Sequence, residues 1–300
     1  MSVAPKYPHT TQDVTAAFEE IKKKLLCGIT AEAIPKMLVV AGLQGSGKTY
    51  LLENTLLPTK RYDNYVRLYL PEYRKKHPEY AEMIKQGVLY AYEHTEGFVR
   101  EVSEKIFTEA FKLKYNIIME CAFDSNKFAA FPPSATALGY QFETHIVGCT
   151  QVFAHLSSIK RALKSLAQKE MERFLTVADL NASMGNAQAI LVAFETAAKA
   201  ISGSQITLYE RGFGALKERV LRAQSTYTLA DDGSVTVATS KTVFAYSVYA
   251  SIINNVIAVN DREQMIKECH MTLHKARTHA KYVPNFVYND LYACISKNLH

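Results

Sequence analysis

Three hundred residues and 33.6 kDa suit one large α/β domain or about two average ones. Hydrophobic residues at 48% and charged residues at 21% exclude a disordered chain, and no run approaches the ~20 apolar residues of a membrane span. Thirty-five Lys and Arg against 29 Asp and Glu leave a formal charge of +6, a surplus that suits a phosphate-bearing ligand. The densest basic runs, Lys22–Lys24 and Arg74–Lys76, are too short to read as a nucleic-acid patch. The N-terminus lacks a signal-peptide core, and five singly scattered cysteines suit a reducing cytosol. A cytoplasmic address is therefore expected, and a protein delivered into another cell would look the same.

The predicted elements follow in chain order. A helix opens at Thr10 or Thr11, carries Val14, Phe18, Ile21 and Leu25 on one face, and ends at Gly28. Residues 35–42 form a short apolar run bounded by Pro and Gly, the pattern of a buried parallel strand. A helix begins near Lys48, and a second strand spans Tyr65–Leu70 before Pro71. Val99, Val102, Ile106, Ala110 and Leu113 mark a helix over roughly residues 96–114. Asn116–Glu120, Glu143–Gly148 and Gln205–Tyr209 are three further strands. Alternating strands and helices predict a parallel sheet with helices on both faces. After residue 220, Thr226–Ala238 reads as an antiparallel hairpin turning at Asp232-Gly233, followed by helices.

One motif carries chemistry. Gly42-Leu-Gln44-Gly45-Ser46-Gly47-Lys48-Thr49 matches the P-loop pattern between a strand and a helix. Such a loop turns successive backbone N–H groups toward phosphate oxygens. Lys48 then places charge between the β- and γ-phosphates, and the Thr49 hydroxyl is a ligand for Mg²⁺. ATP and Mg²⁺ are the expected cofactors. Asn126-Lys-Phe-Ala129 lacks the Asp of a guanine-reading segment, and no strand ends in the apolar run plus Asp of a motor ATPase. A small-molecule kinase needs neither. His270 and His274 share a helix face beside Cys269, but no third ligand pattern accompanies them. Tyr209-Glu-Arg211 could reach the nucleotide or simply end the sheet.

Tyr73-Arg74-Lys-Lys-His77-Pro78-Glu-Tyr80 follows the second strand. With the P-loop at this distance, the segment resembles the zeta-toxin family, P-loop kinases of bacterial toxin–antitoxin systems. His77-Pro78 also fits a helix start with Pro at its first position. The resemblance covers about residues 12–200. It implies a P-loop kinase-like sheet with a lid at about 150–185. Residues 1–218 would be the core and 219–300 a hairpin and helical appendage. It also implies transfer of the ATP γ-phosphoryl group to a hydroxyl of a nucleotide-linked sugar, UDP-N-acetylglucosamine, and an antitoxin protein as partner.

The resemblance carries over to particular residues. The family's Glu-Gly-Thr-x-Arg falls on Glu120-Cys-Ala122-Phe-Asp124, which makes Glu120 and Asp124 substrate-side residues, with Arg74 beside them. Arg161 and Arg173 have the spacing of two lid arginines that reach the triphosphate. The family's catalytic Asp falls on Pro71, so Glu72 is the residue expected to act as base. Changes at Pro71, Ala122 and Asp124 lie on the acceptor side. They leave open a kinase for another nucleotide or nucleic-acid acceptor, or a nucleotide-binding effector without catalysis.

Overall fold

The chain runs through α1 (Thr11–Leu25), β1 (Lys36–Ala41), α2 (Lys48–Leu51), β2 (Tyr65–Arg67), α3 (Tyr80–Lys85), α4 (Val88–Lys112) and β3 (Asn116–Cys121). There follow α5 (Lys127–Ala137), β4 (Gln141–Gly148), α6 (Gln151–Gln168), α7 (Val177–Ala200) and β5 (Gln205–Glu210). The last part holds β6 (Val220–Leu229), β7 (Val235–Ala238), α8 (Tyr246–Ile253), α9 (Val259–Thr278) and α10 (Asn285–Asn298). The structure, a computed structural model, describes residues 6–68, 71–168, 173–213 and 218–298. Among the described residues no helix is long and apolar enough to cross a membrane.

The seven strands are ordered β2-β3-β1-β4-β5-β6-β7. The first five are parallel, and β1 lies between β3 and β4 with Met37–Ala41 fully buried. A strand covered on both faces has no use for alternation, hence the continuous apolar run. The hairpin is part of this sheet. β6 pairs antiparallel with β5 (Gln205 opposite Thr226) and begins six residues earlier than the pattern predicted. Leu229 faces Val235 across the turn. The sheet is therefore mixed rather than wholly parallel.

Local signals explain most element ends. Thr10 caps α1 through a reciprocal box, its hydroxyl accepting the Asp13 N–H while the Asp13 carboxylate accepts the Thr10 N–H at 2.7 Å. α4 starts at Val88, a full two turns before the predicted 96. The polar stretch Tyr92–Glu96 hides that start, and Tyr7 and Met83 bury Ala91 there. The predicted β2 reaches only Arg67; Tyr69 and Leu70 lie outside the described residues. A 3₁₀ turn spans Pro71–Lys76, and α3 begins at Tyr80, so Pro78 is not its first residue. Instead the His77 Nδ1 accepts the Glu79 N–H at 3.1 Å and shapes the approach to that helix.

The C-terminal helices have their own core against α6. Leu156, Ile159 and Leu163 of α6 pack with Met265, Cys269, Leu273, Val287, Leu291 and Ile295. His155 and Asp290 meet at 3.0 Å inside this contact. Burial depresses the His155 pKa, and Asp290 opposes that shift.

Candidate active site

The P-loop turns where β1 ends. Gly45 takes φ +87° and approaches α6 so closely that a β-carbon would sit 2.0 Å from the Ala154 carbonyl oxygen. Only glycine fits there. The Gly42 N–H bonds to the Cys121 carbonyl at 3.1 Å, fastening the loop to β3. Lys48 is 7% exposed, and its ammonium donates to the Leu43 carbonyl at 3.0 Å. Burial pulls its pKa down to about 8, opposed chiefly by Glu120 and reinforced by Arg161. A buried lysine short of counter-charge is primed for a phosphate.

Lys48 lines a cleft of about 1170 Å³ with Gly45, Gly47 and Thr49, and its walls come from α6 and α9. Lys48, Lys160, Arg161, Lys164, Arg211 and Lys275 line it, against the carboxylates Glu53 and Glu268. Gly42, Gln44 and Ser46 shape the loop without lining the cleft. Arg211 is the residue whose role the sequence left open. Its guanidinium donates to the Gly45 carbonyl at 3.0 Å and lies over Phe153 at 4.5 Å, so it braces the loop from the end of β5.

Beside the loop, Glu120 is the penultimate residue of β3, opposite Val40 of β1. The Thr49 hydroxyl donates to Glu120 Oε2 at 2.9 Å. Arg67 of β2 contacts Glu120 Oε1 at 3.2 Å and Glu53 at 2.7 Å. Arg67 carries no motif that would single it out; its two acidic partners come from separate segments of the chain. With its proton committed to Glu120, the Thr49 oxygen keeps its lone pairs for a hard cation. That donor set fits Mg²⁺ beside a phosphate chain. Three apolar residues and an acid, Ile117-Ile-Met-Glu120, are the signal of a strand that ends beside a P-loop, with Glu in the place of Asp.

Asp124 follows a strained residue. Phe123 is fully buried at φ +60°, a conformation that costs a bulky side chain about 1–3 kcal/mol. The Asn186 amide donates to the Phe123 carbonyl at 2.9 Å and holds that turn. The exposed Asp124 carboxylate is close enough for its charge to act on Lys48.

Glu72, Arg74 and Arg173 do not line that cleft. Arg74 is 0% exposed and donates to the Tyr92 carbonyl, Thr95 Oγ1 and Glu96, the last at 2.6 Å. Its guanidinium stacks 3.7 Å above the Tyr92 ring, and Arg173 lies 5.9 Å over the same ring. Arg161 lines the cleft and Arg173 does not. Glu72 is exposed on the 3₁₀ turn, and none of its described contacts joins it to the loop. His270 and His274 are exposed, and no group of three metal-ligating side chains exists among the described residues.

The zeta toxin family model matches residues 21–217. Among solved structures, the chain is similar to one from the PezAT chromosomal toxin–antitoxin system of Streptococcus pneumoniae (TM-score 0.60, 16% identity, 91% of this chain and 98% of that one). It is also similar to AvrRxo1-ORF1:-ORF2 with ATP (TM-score 0.52, 9% identity, 95% of this chain and 86% of that one). No curated protein matches it by sequence. At these identities the structures show the fold. With a complete P-loop in its strand–loop–helix setting and a family match over most of its length, the chain belongs to the zeta toxin family of P-loop kinases.

Proposed function

We propose that this chain transfers the γ-phosphoryl group of ATP to a hydroxyl of a small acceptor. The observation that carries the reading is Lys48, buried at the floor of a cleft lined by Arg161 and five further cations including itself and Arg211. Lys48 binds the β- and γ-phosphates, and Arg161 from α6 balances charge on the transferring group. Thr49, oriented by Glu120, would hold Mg²⁺, which when bound neutralises phosphate charge. Glu120 therefore acts on the metal side of the loop, rather than on the acceptor as the family resemblance implied.

Proton acceptance from the hydroxyl is assigned to Asp124 ahead of Glu72. Asp124 is held by a strained turn within electrostatic reach of Lys48, and Glu72 has no described contact with the loop. Arg74 and Arg173 act through Tyr92, holding α4 beside the His77-Pro78 segment. The acceptor implied by the family is a nucleotide-linked sugar such as UDP-N-acetylglucosamine. A different acceptor is favoured by one observation: Asp124 stands where the family has Arg, and Arg67 is already shared by Glu53 and Glu120. Time-resolved ADP release with UDP-N-acetylglucosamine, free nucleotides and dinucleotides separates the two. ADP release dependent on the sugar nucleotide supports the first; release with another acceptor alone overturns it.

An antitoxin is proposed as partner, since one similar structure comes from a toxin–antitoxin system. Expression that is toxic alone and rescued by a neighbouring gene product is the expected result. We further propose the division into residues 1–218 and 219–300 as a functional one, with the second part supplying the far wall of the cleft. Limited proteolysis with and without ATP tests it, with protection of α9 as the expected result.

A further inference from the structure

The family match ends at residue 217, yet the cleft is closed by residues well beyond it. Glu268, Lys275, Thr278 and His279 line the cavity opposite the P-loop. Lys164 and Ala167 near the end of α6 line the same cavity, so it reaches well beyond the loop. Phe153, which touches the loop through Arg211, lies fourteen residues from Ala167, or about 21 Å along the helix. A triphosphate on the P-loop occupies only the near part of such a cleft.

We propose that the last turn of α9 is the nucleoside end of the donor site. The base and ribose of the donor lie against Lys275, Thr278 and His279, so donor choice is set outside the family segment. This rests on the donor-site reading above. The chemistry suits a base more than another phosphate. The Thr278 hydroxyl donates to the Lys275 carbonyl at 2.7 Å, which leaves its oxygen free to accept an exocyclic amino proton. His279 offers a ring to stack on a base, and the Lys275 ammonium a cation for its π face. The Lys160–Glu268 ion pair joins α6 to α9 where both helices line the cleft.

The test compares ATP with inorganic tripolyphosphate, which has the phosphates and no nucleoside. Affinities of both are measured by calorimetry for the full chain and for Lys275→Ala, Thr278→Val, His279→Ala and His279→Phe. The first three should each weaken ATP about three- to tenfold, Thr278→Val and His279→Ala leaving tripolyphosphate unchanged and Lys275→Ala weakening it less than ATP, and His279→Phe should keep most of the ATP affinity through stacking. Lys48→Ala should weaken both ligands. Equal losses for ATP and tripolyphosphate, or unchanged ATP affinity in all three variants, would overturn the assignment. If Lys48→Ala leaves both affinities intact, the donor-site reading itself fails. Thermal melts of the variants guard against misfolding; Lys275 and Thr278 are exposed, and wild-type melting is expected.

Discussion

The two sides of the P-loop differ in how their charge is arranged. On the donor side, Lys48, Lys160, Arg161, Lys164, Arg211 and Lys275 outnumber Glu53 and Glu268, and Lys48 is buried deeply enough to lose its ordinary basicity. On the other side, at the ends of β2 and β3, Arg67 is shared by Glu53 and Glu120, and Asp124 adds a further acid. An anion is thus drawn to one side and, among the described residues, is offered no spare cation at the ends of β2 and β3. Under the proposed function, the donor is fixed by charge and the acceptor by shape and hydrogen bonding. Low local dielectric at Lys48 amplifies the first effect.

The largest expected effect is on the donor side. Lys48→Ala should lower phosphoryl transfer at least ~10²-fold with an unchanged circular dichroism spectrum. Undiminished ADP release from that variant would break the comparison outright. Arg161→Ala should lower kcat about 10²-fold with a smaller change in ATP affinity, since charge moves mainly in the transition state. Arg173→Ala should cost less, because its described position is over Tyr92. Equal losses at the two would place both on the triphosphate.

On the acceptor side, Asp124→Asn should slow single-turnover transfer by roughly 10²-fold and spare ATP binding, while Glu72→Gln should be nearly silent. The reverse order would move the base to the 3₁₀ turn. Glu120→Gln should cost about 10–100-fold in apparent Mg²⁺ affinity, read by metal titration at fixed ATP. A change in acceptor KM alone would return Glu120 to the acceptor.

The smallest effect is a pH dependence. Burial holds the folded Lys48 near 8, and a bound triphosphate favours its charged form. ATP binding should therefore take up a proton above pH 8, and affinity should fall as pH rises. Stability has the opposite sign. Between about 8 and 10.5 the unfolded chain holds more protons at this residue, so its contribution rises with pH across that window. Calorimetry in buffers of different ionisation enthalpy checks the first, and melts of wild type against Lys48→Met the second.

Part of this was legible in the sequence. The P-loop was, because eight consecutive residues specify both a backbone path and its chemistry. So were β1, β3 and β4, whose apolar runs need only a buried setting, and the Thr10 box, which closes within four residues. Arg74 misled for a physical reason: a charged residue in a family motif reads as ligand-binding, yet here its charge is spent on Glu96 and its plane on Tyr92. The Glu120 role was partly visible in Ile117-Ile-Met-Glu120, had Glu been admitted in the place of Asp.

By itself the sequence determined the course of the P-loop and which layers surround it, since glycine φ angles, caps and apolar periodicity are local properties of the chain. Tertiary structure alone decided what faces that loop. Arg67 meets Glu120 across two strands, Arg211 reaches Gly45 from the end of β5, and α9 arrives at the cleft more than two hundred residues after Lys48. Such contacts arise from strand order and helix packing, and their residues share no spacing along the chain from which the pairing could have been read.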